Sequence, residues 1–136
     1  MATHWLFKTE PSVYSYQQLV KDKKTMWDGV ANNLALKHLK DIKKGELIFI
    51  YHTGDEKQAV GLATAASDAY PDPKLEDPKR PVFDLKPDRA LPKPVTLAQV
   101  KADAMLKSSD LARLPRLSVM PFTEEQFARL MKLAGA

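Results

Sequence analysis

The sequence predicts an α+β domain, a small curved sheet or β-barrel with flanking short helices. Three observations carry that expectation. Apolar runs with strand character, "HWLFKT", "ELIFIYHT" and "QAVGLATAAS", are spread through the chain. Ser/Thr-x-x-Gln pairs, which cap helix starts by exchanging side-chain and backbone hydrogen bonds, open three short helical stretches between and after them. The two kinds of element mix without repeats and without a βαβ rhythm, so a parallel doubly wound sheet is not indicated.

In order along the chain, residues 4–9 read as a strand. Ser15 with Gln18 opens a helix over "YQQLVKD". Asp28-Gly29 then makes a turn with Trp27 on its rim, and a helix runs from about Asn33 to Lys43, where Leu34, Ala35, Leu39 and Ile42 recur at helical spacing before Gly45 stops it. Residues 46–53 are apolar at both alternating sets of positions, the pattern of a central strand buried on both faces. Residues 58–67 form a lighter strand whose Gly61 suits a tight bend or a barrel wall. Seven of the ten prolines fall in residues 70–94, which therefore read as a long loop excursion from one domain spanning 1–136. Thr96 with Gln99 and Thr123 with Gln126 cap two further helices, the second with the stripe Phe127, Leu130 and Met131. Between them "RLSVMPF" reads as a short strand ended by Pro121.

Composition narrows the chemistry. A chain of 136 residues without cysteine has no disulfide framework, thiolate metal site or cysteine nucleophile. His4, His38 and His52 show no metal-ligand spacing, so no metal and no cofactor are expected. No apolar run approaches the ~20 residues of a membrane span, and the N-terminal residues lack the pattern of an export signal, so a cytoplasmic location without membrane contact is expected. The net charge of +4 is compatible with a polyanionic partner. It is carried by the ends of the chain: residues 1–52 hold 8 basic and 5 acidic groups, 53–94 hold 7 and 8, and 95–136 hold 6 and 4.

The five glycines are too dispersed for a phosphate loop, and no serine stands in a nucleophile elbow. What remains is a set of groups able to hold a flat heterocycle: the indole of Trp27, the amides of Asn32 and Asn33, Tyr51 and His52 at the end of the central strand, and Ser118 beside Arg116. An indole stacks on any base, while amide and hydroxyl groups read its edge.

"HWLFKTEPSVYSYQQL", "WDGVANNLA", "FIYHT" followed by "VGLATAASDAYPDP", and "PVTLAQVKA…RLSVMPFTEEQF" together resemble the EVE domain, a member of the PUA-like superfamily and a relative of the YTH and ASCH domains. The resemblance runs over nearly the whole chain. It implies a PUA-like barrel with a surface pocket for a nucleobase, modified cytosine in DNA first and RNA second, and, in bacteria, a nucleoid-associated role in sensing modification. Residue by residue it implies Trp27 as the aromatic wall, Asn32 as the asparagine of a W-D-G-V-R-N run, Ser118 as the serine of an R-L-S-V run, and Lys8, Glu10 and Pro11 as a K-[ST]-E-P run. Two places where the family carries arginine hold Ala31 and Leu36 here, which implies a weaker grip on phosphate and makes a free modified nucleoside a more credible ligand.

The expected protein is thus a monomeric, non-catalytic reader of a modified base. Two other readings stand beside it. One is an ASCH-like amidohydrolase acting on modified nucleosides, using Lys8 and Glu10, which strand alternation allows to share a site. The other is a module for a small aromatic ligand or a protein, with a repurposed pocket.

Overall fold

The structure, a computed structural model, describes residues 4–27, 33–72 and 77–136. It is α+β, a single mixed sheet curled into a half-barrel with short helices packed around it. The strands are β1 (His4–Thr9), β2 (Thr25–Trp27), β3 (Leu47–His52), β4 (Gln58–Ala65), β5 (Tyr70–Asp72), β6 (Asp77–Thr96) and β7 (Val119–Phe122). The helices are α1 (Tyr16–Asp22), α2 (Asn33–Asp41), α3 (Leu97–Ala102), α4 (Asp110–Arg113) and α5 (Glu124–Leu133). The strand order is β2-β6-β4-β3-β1-β7, with β5 paired to β6 alone. Among the described residues β1 and β3 run parallel and the other pairings are antiparallel.

Ring contacts record the curl. Phe7 of β1 and Phe83 of β6 are three positions apart in the sheet, yet their ring centroids are 5.1 Å apart and edge-on. Trp27, on the outermost strand β2, reaches the same Phe7 ring at 5.3 Å. A flat sheet would hold these strands ~15 Å or more apart, since neighbours are spaced ~4.8 Å. The free edges β2 and β7 therefore both lie beside Phe7. The other face of the central strands is covered by α5, through Phe49 against Phe127 at 4.7 Å, with Phe122 of β7 alongside at 6.0 Å. The double-sided burial expected of residues 46–53 follows from this arrangement, and Ile48, Phe49 and Ile50 are all buried.

The described part of the proline-rich stretch, 70–72 and 77–94, is strand and not loop. Residues 77–96 form the longest strand of the sheet, pairing with β2, β4 and β5 in turn. Proline's fixed φ suits extended backbone, and its missing donor does harm only where a ladder bond is required. The ladder breaks where prolines cluster. Four residues of β6, Leu91 to Pro94, stand against Val60 alone between the pairs Gly61↔Ala90 and Ala59↔Val95. A second bulge, at Asp88, adjoins Pro87. Pro121 likewise does not end β7 but lies within it, paired with Trp5 on an edge strand.

Two of the three caps form in full: Thr96 with Gln99, and Thr123 with Gln126, each exchange both bonds. The third is half-formed, because Ser15 accepts from the Gln18 N–H while the Gln18 side chain turns to Asp22. Helix α2 ends two residues before the expected Lys43, and its apolar stripe is rotated: Leu36 is buried and Leu34 is 41% exposed. Gly61 serves a close approach, since a Cβ there would overlap the Tyr16 ring, whose hydroxyl donates to the Leu62 carbonyl at 2.8 Å.

Candidate functional site

The C-terminal ends of the parallel pair β1 and β3 bring three of the expected site residues into one row. Lys8 is in register with Tyr51, and residues directly opposite in a ladder share a face. On the other side of β1, Phe7 pairs with Val119, and one step on the Lys8 N–H donates to the Ser118 carbonyl at 2.9 Å. Ser118, Lys8 and Tyr51 thus lie side by side. The Lys8 ammonium donates to the Pro115 carbonyl at 2.9 Å and lies 5.7 Å from the centre of the Tyr51 ring. Burial pushes the Lys8 amine below its ordinary value and the Tyr51 phenol up to about 12.

Beside this row a surface cavity of about 310 Å³ is lined by Leu34, Leu114, Pro115, Arg116 and Leu117. Arg116 is exposed and has no ion-pair partner among the described residues. The result is an apolar recess with a cationic rim. Among the described residues one of the three Lys8 N–H donors is used, and the half-buried Ser118 follows Leu117 of the lining directly. Such a recess suits a small planar group with an apolar body and a polar edge.

Other expected members are placed elsewhere. Trp27 ends β2, directly before Asp28 and Gly29 of the expected turn, which lie outside the described residues, and it is half-buried against the core, with Phe7 at 5.3 Å and Tyr14 edge-on at 6.5 Å. Because Phe7 and Lys8 alternate along β1, Trp27 lies on the face opposite the Lys8–Tyr51–Ser118 row. His52 is 1% exposed and fully engaged: Nε2 accepts from the Tyr16 backbone N–H at 2.9 Å, which fixes the neutral tautomer, and Nδ1 donates to Glu56 at 2.9 Å. That ring supplies a partner for the first N–H of α1 and is turned away from any surface ligand. Glu10 follows β1, where its carboxylate accepts from Ser12 Oγ at 3.2 Å and Thr53 Oγ1 at 3.3 Å, with Pro11 next in the turn. Asn32 and Ala31 lie outside the described residues. Leu36, at the second place where the family carries arginine, is in the hydrophobic core.

The sequence reading missed Leu34, Leu114, Pro115 and Leu117 as wall residues. Leu34 left a trace, an apolar residue at the edge of the helical stripe, but the others are distinguished only by where β7 carries them. Among the described residues no helix is long and apolar enough to cross a membrane, and no group of three or more His, Asp or Glu side chains could hold a metal.

A curled mixed sheet with short helices packed around it defines a domain of the PUA-like class. The EVE domain model matches residues 3–133, and the chain belongs to that family. An NMR structure from Rhodopseudomonas palustris is 39% identical, with a TM-score of 0.93, covering 99% of this chain and 94% of that one. The crystal structure of human THYN1 protein in complex with 5-methylcytosine-containing DNA is 30% identical, with a TM-score of 0.87 and 98% of both chains covered. An ASCH structure from Zymomonas mobilis shares the fold alone, at 13% identity and a TM-score of 0.61, over 96% of this chain and 95% of that one.

Proposed function

We propose that this protein is a non-catalytic reader of modified cytosine in DNA, acting as a monomer and taking the base into the recess beside Lys8 and Ser118. The observation that carries the reading is the pairing of apolar and polar groups at one place. Leu34, Leu114 and Leu117 offer an apolar wall to a base methyl group, while the Lys8 ammonium is bonded to the carbonyl of the lining residue Pro115 and Ser118 directly follows Leu117 of that lining. Support comes from the human relative solved with 5-methylcytosine-containing DNA. Lys8 donates to a pyrimidine carbonyl, Ser118 pairs with a ring or exocyclic nitrogen, and exposed Arg116 meets a backbone phosphate. Trp27 supports the site from beneath, through Phe7.

The test is binding of short DNA strands that carry 5-methylcytosine or cytosine, followed by fluorescence anisotropy. Tighter binding of the methylated strand is expected, and Ser118→Ala is expected to weaken it by ~1–3 kcal/mol, because a buried polar edge of the base loses its partner. Equal affinity for both strands overturns the assignment. Stronger binding of the matching RNA strand would move the assignment to RNA.

One observation favours an enzyme reading: a lysine whose amine is depressed by burial is the kind of group that serves as a nucleophile. Against it, that amine is tied to the Pro115 carbonyl, and the Glu10 carboxylate is occupied by Ser12 and Thr53. Incubation with acylated or methylated cytidines is expected to release no product. Turnover lost in Lys8→Ala would promote the enzyme.

A further inference from the structure

Helix α2 lines the recess with Leu34, and one turn further along the same face it carries His38. The His38 ring is half-buried, with its centroid 6.1 Å from that of the Trp5 ring of β1. Among the described residues its Nε2 is the one buried side-chain nitrogen or oxygen without a hydrogen-bond partner. Buried polar atoms are paired as a rule, so an exception calls for a role. Helix α4 has a matching arrangement. Asp110 opens it, and the N–H of the wall residue Leu114 donates to the Asp110 carbonyl at 2.7 Å. Each of the two elements therefore carries a recess residue and, one turn away, one half of a His–Asp pair.

Asp110 acts on the imidazole more strongly than any other charged group, ahead of Asp41 and Lys37 of α2 itself. Its carboxylate is held loosely elsewhere, 3.8 Å from Arg113 Nη1. The remaining neighbours bring no competing charge. Trp5 gives its indole N–H to Glu46, Val119–Phe122 of β7 hold no titratable group, and among the described residues no charge of β6 acts on the ring. We infer that His38 and Asp110 form a clamp beneath the recess: protonated His38 takes Asp110 as the partner that Nε2 lacks, which draws α4 toward α2 and closes Leu114 on Leu34. At neutral pH the clamp is open, because burial foremost holds the imidazole below its ordinary 6.5 and keeps it uncharged. The effect on a ligand rests on the modified-cytosine reading above; the movement of the walls does not.

The test follows wild type, His38→Gln and Asp110→Asn from pH 7.5 to 5.5. Methyl NMR reports Leu34 and Leu114, the His38 ring proton reports its own titration, and fluorescence anisotropy reports binding of a strand with one 5-methylcytosine. In the wild type both leucine methyls should shift along the His38 titration curve, and affinity should fall about fivefold, because the open form alone accepts the base. In either variant the methyl shifts should shrink and affinity should change by less than about twofold, since Gln takes up no proton and Asn offers no charge to attract one. Methyls that stay still while the wild-type ring titrates overturn the clamp, whether or not the variants fold, and so does an equal acid response in His38→Gln. A preference for the methylated strand at pH 7.5 then leaves the base-reading assignment standing. Methyls that move with the ring while affinity stays constant keep the clamp and put the base outside the recess, which overturns the assignment instead.

Discussion

At the scale of single residues, those expected to share one role have divided it. Lys8, Tyr51 and Ser118 meet because a parallel and an antiparallel ladder align them, a relation invisible in a sequence where Lys8 and Pro115 stand 107 residues apart. Trp27 and His52 were legible as unusual residues; His52 is buried and bonded at both ring nitrogens, and Trp27 is half-buried against Phe7 and Tyr14. Trp27→Ala removes a half-buried ring from Phe7 and Tyr14, and is expected to cost roughly 2 kcal/mol of stability in chemical denaturation, below the range for a fully buried tryptophan. An unchanged denaturation midpoint would mean that the indole serves a ligand alone. His52→Ala leaves the Tyr16 N–H without its acceptor and should cost ~1–3 kcal/mol, with amide exchange at the start of α1 accelerating first.

Elements were legible wherever local chemistry decides them. β1 has the limits its apolar run suggests, and the Thr96 and Thr123 caps form as Ser/Thr-x-x-Gln pairs should. The exception is β6, because proline content argues for a loop only until a partner strand is available on both sides. There tertiary pairing with β2 and β4 overrides local preference, and the bulges absorb the missing donors. Gly61 shows the same limit at finer grain: its need for a bare Cα comes from Tyr16, a residue 45 positions away. Gly61→Ala is expected to displace that ring and break its hydrogen bond to Leu62, lowering stability by ~2 kcal/mol or more in a denaturant titration. A neutral outcome would show that α1 can shift freely over β4.

For the molecule as a whole, two phenols set the alkaline limit. Tyr16 and Tyr51 are each pushed up to about 12, foremost by burial, whereas in the unfolded chain they ionise near 10. The folded state therefore holds these protons longer. Stability is intact below pH 10 and falls as pH rises through 12, approaching ~2 kcal/mol for each group. Lys8, shifted the other way, gains a little as its amine loses its proton below 10.5. Melting temperatures from pH 9 to 12, with phenolate absorbance near 295 nm recorded in parallel, would check this; a flat profile would place both hydroxyls in water. Net charge acts at the same scale. Arg116 is an exposed cation beside the recess, so log affinity for DNA should fall against log salt, and Arg116→Ala should reduce the magnitude of that slope by about 1. A final consequence comes from the bond between the Lys8 ammonium and the Pro115 carbonyl. Closing a loop of that length costs roughly 4 kcal/mol of chain entropy before any contact across it is rewarded. On a ribosome, Lys8 is made long before the segment that completes its surroundings, and no early fragment can hold a base. Ligand affinity should thus emerge in refolding experiments together with the last native signal and never ahead of it.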